Sequence, residues 1–216
     1  MAIKINENRR CVIISGAPGA DPVFVRKNVL PGDYVICADR GYETAVKAGV
    51  TPGLLVGDFD SYRGTIPGEY EVIGLCPEKD YSDTFHAVQE GIERGFRCFA
   101  LLAATGGRLD HTLANLSLLE YIADNGAQGV ILSENEMIRL LQKGEYRFEN
   151  MAGKTFSVFA FGCKEAVISY SGAKYPLKNG KLLHGMAMGL SNIFTSGSAE
   201  ITVHSGQAVI IINTEM

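Results

Sequence analysis

A chain of 216 residues, 46% of them apolar, can bury a sizeable core as one large domain or two small ones. Its formal net charge of −4 excludes a protein that holds nucleic acid by neutralising the phosphate backbone, because no face dense in Lys and Arg is on offer. A small-molecule partner is expected. The five cysteines, Cys11, Cys37, Cys76, Cys98 and Cys163, are odd in number, scattered, and never spaced as CxxC, so they read as reduced core residues of a cytoplasmic protein. The first residues, "MAIKINENRRCVIIS", show neither a long apolar segment nor a small-residue cleavage site, and no membrane partner is expected.

From residue 11 to about 132, short apolar runs alternate with helix-like segments. "CVIIS", "YVICAD", "LLVGD", "EVIGLC", "CFALLAA" and "GVILS" are continuously apolar rather than alternating, which suits strands covered on both faces of a parallel sheet. The clearest helix is "SDTFHAVQEGIERG", residues 82–95, with Phe85, Val88 and Ile92 at helical spacing, Ser82 as its cap and Gly95 at its end. A second, "DHTLANLSLLEYIADNG", runs from Asp110 to near Gly126. The fold class expected is α/β, with a mostly parallel three-layer N-terminal domain.

Beyond about residue 140 the sequence changes to short strands broken by Gly, Asn and Ser: "TFSVFAF", "AVISYS", "KLLHG", "AEITVHSG" and "AVIIIN". Ala199, Ile201 and Val203 alternate with Glu200, Thr202 and His204, as in a strand with one wet face. This part reads as an all-β sandwich. The boundary is placed near "LLQKGEYRF", giving domains 1–142 and 143–216.

In a parallel α/β sheet, ligands sit beyond the carboxyl ends of the strands, so the residues just after each apolar run matter most. They are Asp39 and Arg40; Asp58 and Asp60; Asp80 and Asp83; and Thr105, Gly106, Gly107, Arg108 and Asp110. A single Asp after a strand is commonly a turn residue or a cap. Several at one sheet edge repel unless a cation compensates, and Mg²⁺ takes oxygen ligands of this type while sharing its shell with substrate phosphates. A nucleoside triphosphate is the natural guest. Arg108, between glycines that let backbone approach an anion, can pair with phosphate oxygens. "SGAPGA", residues 15–20, is another candidate for a backbone approach to phosphate.

Two superficial motifs carry nothing. The "GKT" at 153–155 lacks the earlier glycine of a P-loop, since Phe148 stands there, and no GxGxxG follows a strand. The four histidines, His86, His111, His184 and His204, lack HxxxH or HExxH spacing, so zinc is not expected. Only His111, beside Asp110, falls in the candidate site.

"CADRGYETAVKAGVTPGLLVGDFDS", "EKDYSDTFHAV", "TGGRLDHTLANLSLL" and "GLSNIF" resemble, in order and spacing, the motif set of thiamine pyrophosphokinases, over roughly residues 11–212. The resemblance implies an α/β domain that binds ATP and Mg²⁺, a β-sandwich domain, and a homodimer with thiamine sites between subunits. The family's reaction moves pyrophosphate from ATP to the hydroxyl of thiamine, giving thiamine diphosphate and AMP. Matching positions assign Asp39, Asp58, Asp60, Asp80 and Asp83 to an acidic cluster around metal and substrate, with Asp58, Asp60, Asp80 and Asp83 as the metal set. Asp39, Arg40, Thr105, Gly107, Arg108, Asp110 and His111 are assigned to ATP, and Ser191 and Asn192 to thiamine. Some relatives carry a Trp that stacks on the thiamine pyrimidine; this chain has no Trp, and Tyr175 of "GAKYPL" stands at that place.

The mechanism expected is in-line attack of the thiamine hydroxyl on the β-phosphorus, with Mg²⁺ and Arg108 neutralising charge. Asp83 or Asp60 is the candidate general base, so Asp58, Asp60, Asp83 and Arg108 form the catalytic set. Two alternatives stand beside this reading: transfer to another small alcohol, and a nucleotide- or thiamine-binding sensor without catalysis.

Overall fold

The computed structural model describes residues 9–59, 68–76, 78 and 80–214. The chain divides into two compact units, Met1–Ser133 and Glu134–Met216.

The first unit is built in alternation: β1 (Arg10–Ile14), α1 (Pro22–Asn28), β2 (Tyr34–Ala38), α2 (Gly41–Ala48), β3 (Leu54–Gly57), β4 (Val72–Gly74), α3 (Asp83–Glu93), β5 (Cys98–Leu102), α4 (Leu109–Asp124) and β6 (Gln128–Leu132). Every strand pairing within it is parallel, in the order β6-β5-β1-β2-β3-β4. The continuous apolarity of the strands has the expected cause. Cys11, Val12, Ile13 and Ile14 are all fully buried, because both faces of β1 are covered. Val25 of α1 and Tyr42, Ala45 and Ala48 of α2 pack with Val12, Ile14, Val35, Cys37 and Leu55 on one face. On the other face α3 comes so close that a Cβ on Gly91 would lie 2.6 Å from Phe99 and 3.2 Å from the Cys11 Sγ. Each such buried aliphatic side chain contributes about 1.5–3 kcal/mol. Three layers result, as the sequence predicts.

Local signals set the helix ends. Asp21 caps α1 through a 2.9 Å bond from the Val23 N–H, with Pro22 at the first helical position. Ser82 caps α3 by accepting from the Phe85 N–H at 3.2 Å. At the amino ends of the strands, ion pairs tie neighbouring segments, Arg10 to Asp33 at 2.6 Å and Arg94 to Glu71, while Glu90 one turn back in α3 also pairs with Arg94.

The second unit contains β7 (Glu136–Leu141), β8 (Gly144–Glu149), β9 (Thr155–Ala160), β10 (Glu165–Ser171), β11 (Leu177–Leu183), β12 (Asn192–Ile193), β13 (Ser198–Ser205) and β14 (Ala208–Asn213). Two antiparallel sheets, β12-β9-β14-β7 and β11-β10-β13-β8, share one core that includes Phe148, Phe156, Phe194, Ile168, Ile201 and Ile210. This is the expected sandwich. Ala199, Ile201 and Val203 point inward and Glu200 and His204 outward, as their alternation requires.

Two details differ from the sequence reading. "LLQKGEYRF" spans the end of β7, a turn at Gln142 and Lys143, and most of β8, and β7, which precedes the boundary expected there, pairs with β14 and falls in the second compact unit. Of the cysteines, Cys11 and Cys37 are buried, and burial pushes both thiols well above their ordinary pKa, but Cys76 is exposed, beyond the end of the three-residue edge strand β4. All five are free thiols. Among the described residues, no helix is long and apolar enough to cross a membrane.

The tightest backbone contact of the first unit is where α2 begins. A Cβ on Gly41 would lie 1.9 Å from the Ile14 carbonyl oxygen, a backbone atom that cannot rotate away. Gly41→Ala is therefore expected to cost about 1–3 kcal/mol or more in urea unfolding, as overpacking does. Gly74→Ala, where an added Cβ meets nothing within 4 Å, is the control and should stay within about 0.5 kcal/mol of the parent.

Candidate functional site

In the order β6-β5-β1-β2-β3-β4 the chain winds outward from β1 to β4 and then returns to the other side of β1 for β5. The direction therefore reverses between β1 and β5, and a crevice opens outside the carboxyl ends of those strands. A cavity of about 280 Å³ lies there. Its walls are the loop after β1 (Ser15–Pro18), the turn after β2 (Asp39 and Arg40), the start of α3 (Ser82–Thr84), and the segment after β5 with the start of α4 (Ala103, Ala104, Gly106, Arg108, His111 and Asn115). A second recess of about 250 Å³ shares Gly16, Ala17, Pro18 and Arg40 with it and extends to Pro22, Thr44 and Lys47.

Strong backbone constraints shape these walls. The Ser15 N–H donates to the Leu102 carbonyl at 2.9 Å and the Ala17 N–H to the Ala103 carbonyl at 3.0 Å, so the two loops remain paired beyond the sheet. Gly107, at φ 66°, lies where a Cβ would meet Pro18 Cγ at 2.4 Å; both its conformation and its neighbour demand glycine. Asp39, Phe59 and Ala103, each within two residues of a strand end, adopt left-handed backbone at φ 45°, 53° and 51°. For Ala and Phe this conformation costs of order 1–3 kcal/mol and persists only where the surroundings enforce it. In "GDFD" the Phe59 ring packs against the core of the first unit. The aromatic residue anchors the segment, and Asp58 beside it is half-buried.

The sequence-predicted residues divide. Asp39, Arg40, Asp83, Arg108 and His111 line the cavity together. Thr105, Gly107 and Asp110 adjoin them in the loop and first turn of α4 without lining it, and Gly106 takes the lining position. Asp110 is engaged by Arg108 in a two-point ion pair at 2.5 and 3.1 Å, and the guanidinium holds that carboxyl below the usual carboxylate range. Both side chains are exposed, so a ligand anion can draw Arg108 away at small cost. Asp58 and Asp80 are not among the lining residues, and Asp60 lies outside the described residues. Among the described residues, no group of three or more His, Cys, Asp or Glu stands close enough to hold a metal ion by itself.

In the second unit, Tyr175 and Ser191 are exposed while Asn192 is 4% exposed. Asn192 Oδ1 accepts from the Tyr175 N–H at 3.1 Å and Asn192 Nδ2 donates to the Tyr175 carbonyl at 2.8 Å. Its amide therefore clamps the Tyr175 backbone. The Tyr175 ring carries the Lys174 ammonium 5.4 Å from its centroid. Ser191, at φ 57°, has its N–H bound to Ser157 Oγ at 3.1 Å, which leaves its side chain presented at the surface.

Sequence reasoning took Ser15 only as part of a backbone approach to phosphate, and missed its side chain together with Thr84 and Asn115. Together with Asn192 they are the buried polar side chains among the described residues, and these three line the cavity. The Thr84 hydroxyl donates to Ser15 Oγ at 3.1 Å, and Asn115 Nδ2 donates to the Ala104 carbonyl at 2.7 Å. A signal for Asn115 was present: it occupies the same helical stripe as Leu118, Leu119 and Ile122, a polar residue where α4 faces the core.

Residues 27–131 match the family model described as thiamin pyrophosphokinase, catalytic domain, and residues 142–210 that described as thiamin pyrophosphokinase, vitamin B1 binding domain. The chain belongs to the thiamine pyrophosphokinase family. Among relatives within it, thiamine pyrophosphokinase of Bacillus subtilis is 27% identical over 186 residues, covering 83% of this chain and 87% of the relative. Thiamin pyrophosphokinase 1 of Caenorhabditis elegans is 26% identical over 168 residues, covering 74% and 68%. The fold is likewise similar to family members of known structure. The crystal structure of the Bacillus subtilis enzyme superposes with a TM-score of 0.85 at 22% identity, covering 97% of this chain and all of that one. That of thiamin pyrophosphokinase from Geobacillus thermodenitrificans gives 0.81 at 26% identity, covering 96% and 98%.

The Asn115 contact predicts a measurable cost. Asn115→Ala leaves the buried Ala104 carbonyl without its amide donor and should lower stability by about 1–3 kcal/mol in urea unfolding. Amide exchange across residues 103–108 should accelerate with it; unchanged protection there would show that the loop does not depend on this bond.

Proposed function

We propose that this protein transfers the pyrophosphoryl group of ATP to the hydroxyl of thiamine, releasing thiamine diphosphate and AMP. The observation that carries the reading is one cavity, at the reversal point of a parallel sheet, in which two arginines, two aspartates and a histidine converge, in a chain that has both domains of the family in order.

Charge distribution supports placing the polyphosphate in that cavity. Arg40 and Arg108 offer guanidinium forks suited to phosphate oxygens, and the loop pair of Ser15–Pro18 and Gly106–Gly107 brings backbone close to the anion. The adjoining recess, bordered by Pro18 and Pro22, is left for the nucleoside end. For Mg²⁺ the donor chemistry fits one mode of binding: Asp39 and Asp83 line the same cavity, and this ion is commonly held by one or two carboxylates, waters and substrate phosphates rather than by a full protein cage. Bound there, it would neutralise charge on the phosphate chain. Asp58, Asp60 and Asp80 are retained as candidate supporting acids. Asp83, at the first turn of α3, is the cavity-lining candidate to accept the alcohol proton.

We assign thiamine to the second unit, on Tyr175 and Ser191, with Asn192 holding the tyrosine in place rather than touching the ligand. A homodimer is proposed as the working form. The exposed Met186, Met188 and Leu190, in the loop that leads to Ser191, support an apolar contact there with a second copy.

Incubation with ATP, thiamine and Mg²⁺ should yield AMP and thiamine diphosphate in equal amounts, and Asp83→Asn should reduce kcat at least about 100-fold with the fold intact. Formation of ADP or free phosphate, or tight binding of both substrates without AMP, would overturn the reading. Separately, Asn192→Asp keeps the acceptor toward the Tyr175 N–H and loses the donor to its carbonyl. It should raise the KM for thiamine several-fold while the KM for ATP stays unchanged; equal changes in both would refute the clamp.

A further inference from the structure

Ser15 ends the "CVIIS" run, is 2% exposed, and still lines the cavity. Its N–H is fixed on the Leu102 carbonyl, so the residue is held by the sheet rather than by the loop that follows. Thr84, from the first turn of α3, donates its hydroxyl hydrogen to Ser15 Oγ at 3.1 Å across 69 positions of sequence. A serine hydroxyl has one hydrogen and two lone pairs. With one lone pair taken by Thr84, and with no protein acceptor for the Ser15 hydrogen among the described residues, that hydrogen is free to turn to an oxygen that enters the cavity. The bland alternative, a hydroxyl pair that only satisfies itself in the core, fits poorly with both residues lining a polar cavity between two arginines and two aspartates.

We infer that Ser15 is a substrate-contacting residue that donates a hydrogen bond to a non-bridging phosphate oxygen, and that Thr84 is the positioning residue that orients it. The inference rests on the polyphosphate reading of the cavity. Because Thr84 follows Asp83 in α3, the same contact ties that carboxylate's position to the end of β1.

The test compares the parent with Ser15→Ala, Ser15→Cys, Thr84→Val, Thr84→Ser and the Ser15→Ala/Thr84→Val double variant. Two quantities are measured with Mg²⁺ present: calorimetric affinity for inorganic triphosphate, and AMP formation from ATP and thiamine. Urea unfolding is run alongside. Loss of one charge-assisted hydrogen bond should weaken triphosphate binding about tenfold to a hundredfold in Ser15→Ala, and similarly in Ser15→Cys. Thr84→Val should lose part of that, Thr84→Ser should restore it, and the double variant should bind no worse than Ser15→Ala alone. A merely structural pair would lower stability while the folded variants bind triphosphate like the parent, and that result overturns the inference. A parent that binds triphosphate but makes no AMP would sink the pyrophosphokinase reading instead, leaving the Ser15 contact to be judged on affinity.

Discussion

The site depends on close approach of the backbone at the carboxyl ends of β1, β2 and β5. The Gly41 Cα sits against the Ile14 carbonyl, Gly107 against the Pro18 ring, and two hydrogen bonds carry the β1–β5 pairing past the last strand residues. No side chain could be inserted at either glycine without moving main chain. The loops that form the cavity are thereby fixed by covalent geometry and sheet hydrogen bonds rather than by contacts that a ligand would have to create. Pre-set walls of this kind reduce the ordering cost of binding a flexible polyphosphate.

The two edges of the parallel sheet use charge differently. At the amino ends, Arg10 with Asp33 and Arg94 with Glu71 form ion pairs that join neighbouring segments, and Glu90 of α3 holds the same arginine. At the carboxyl ends Arg108 pairs with Asp110 at the surface, and Arg40, Asp39 and Asp83 face a shared cavity. An acid and a base already joined in a solvated pair can be separated by a stronger anion, whereas the half-buried Arg94 network cannot be rearranged so cheaply. One edge holds the unit together and the other is left responsive.

Much of this was legible in the residues. Unbroken apolar runs specified buried parallel strands, Ser82 and Gly95 bracketed α3, and the alternation in "AEITVHS" placed one face of β13 in the sandwich core. The family motifs put Asp39, Arg40, Asp83, Arg108 and His111 in one place, and the structure brings those five together. What failed to show has physical reasons. "LLQKGEYRF" mixes Lys, Glu and Arg into the end of β7, a turn and the start of β8, so its composition does not show that β7 already belongs with the second unit. Cys76 follows an apolar run that forms only a three-residue edge strand, too short to bury what comes after it. For Asn192 the sequence cannot show the two bonds its amide makes to the Tyr175 backbone, because a buried amide serving backbone and an exposed amide serving a substrate are the same letter.

Buried polar side chains then say more about the site than its exposed charges do. An exposed Asp after a strand has many local reasons to exist, but a hydroxyl or amide removed from water must find a partner or cost the fold. Ser15 finds its partner in Thr84, beside Asp83, and Asn115 finds its partner in the Ala104 carbonyl, four residues ahead of Arg108. Such bonds do not select phosphate chemistry by themselves. They fix the spacing between the acidic start of α3 and the arginine before α4, and that spacing decides whether one polyphosphate can meet both.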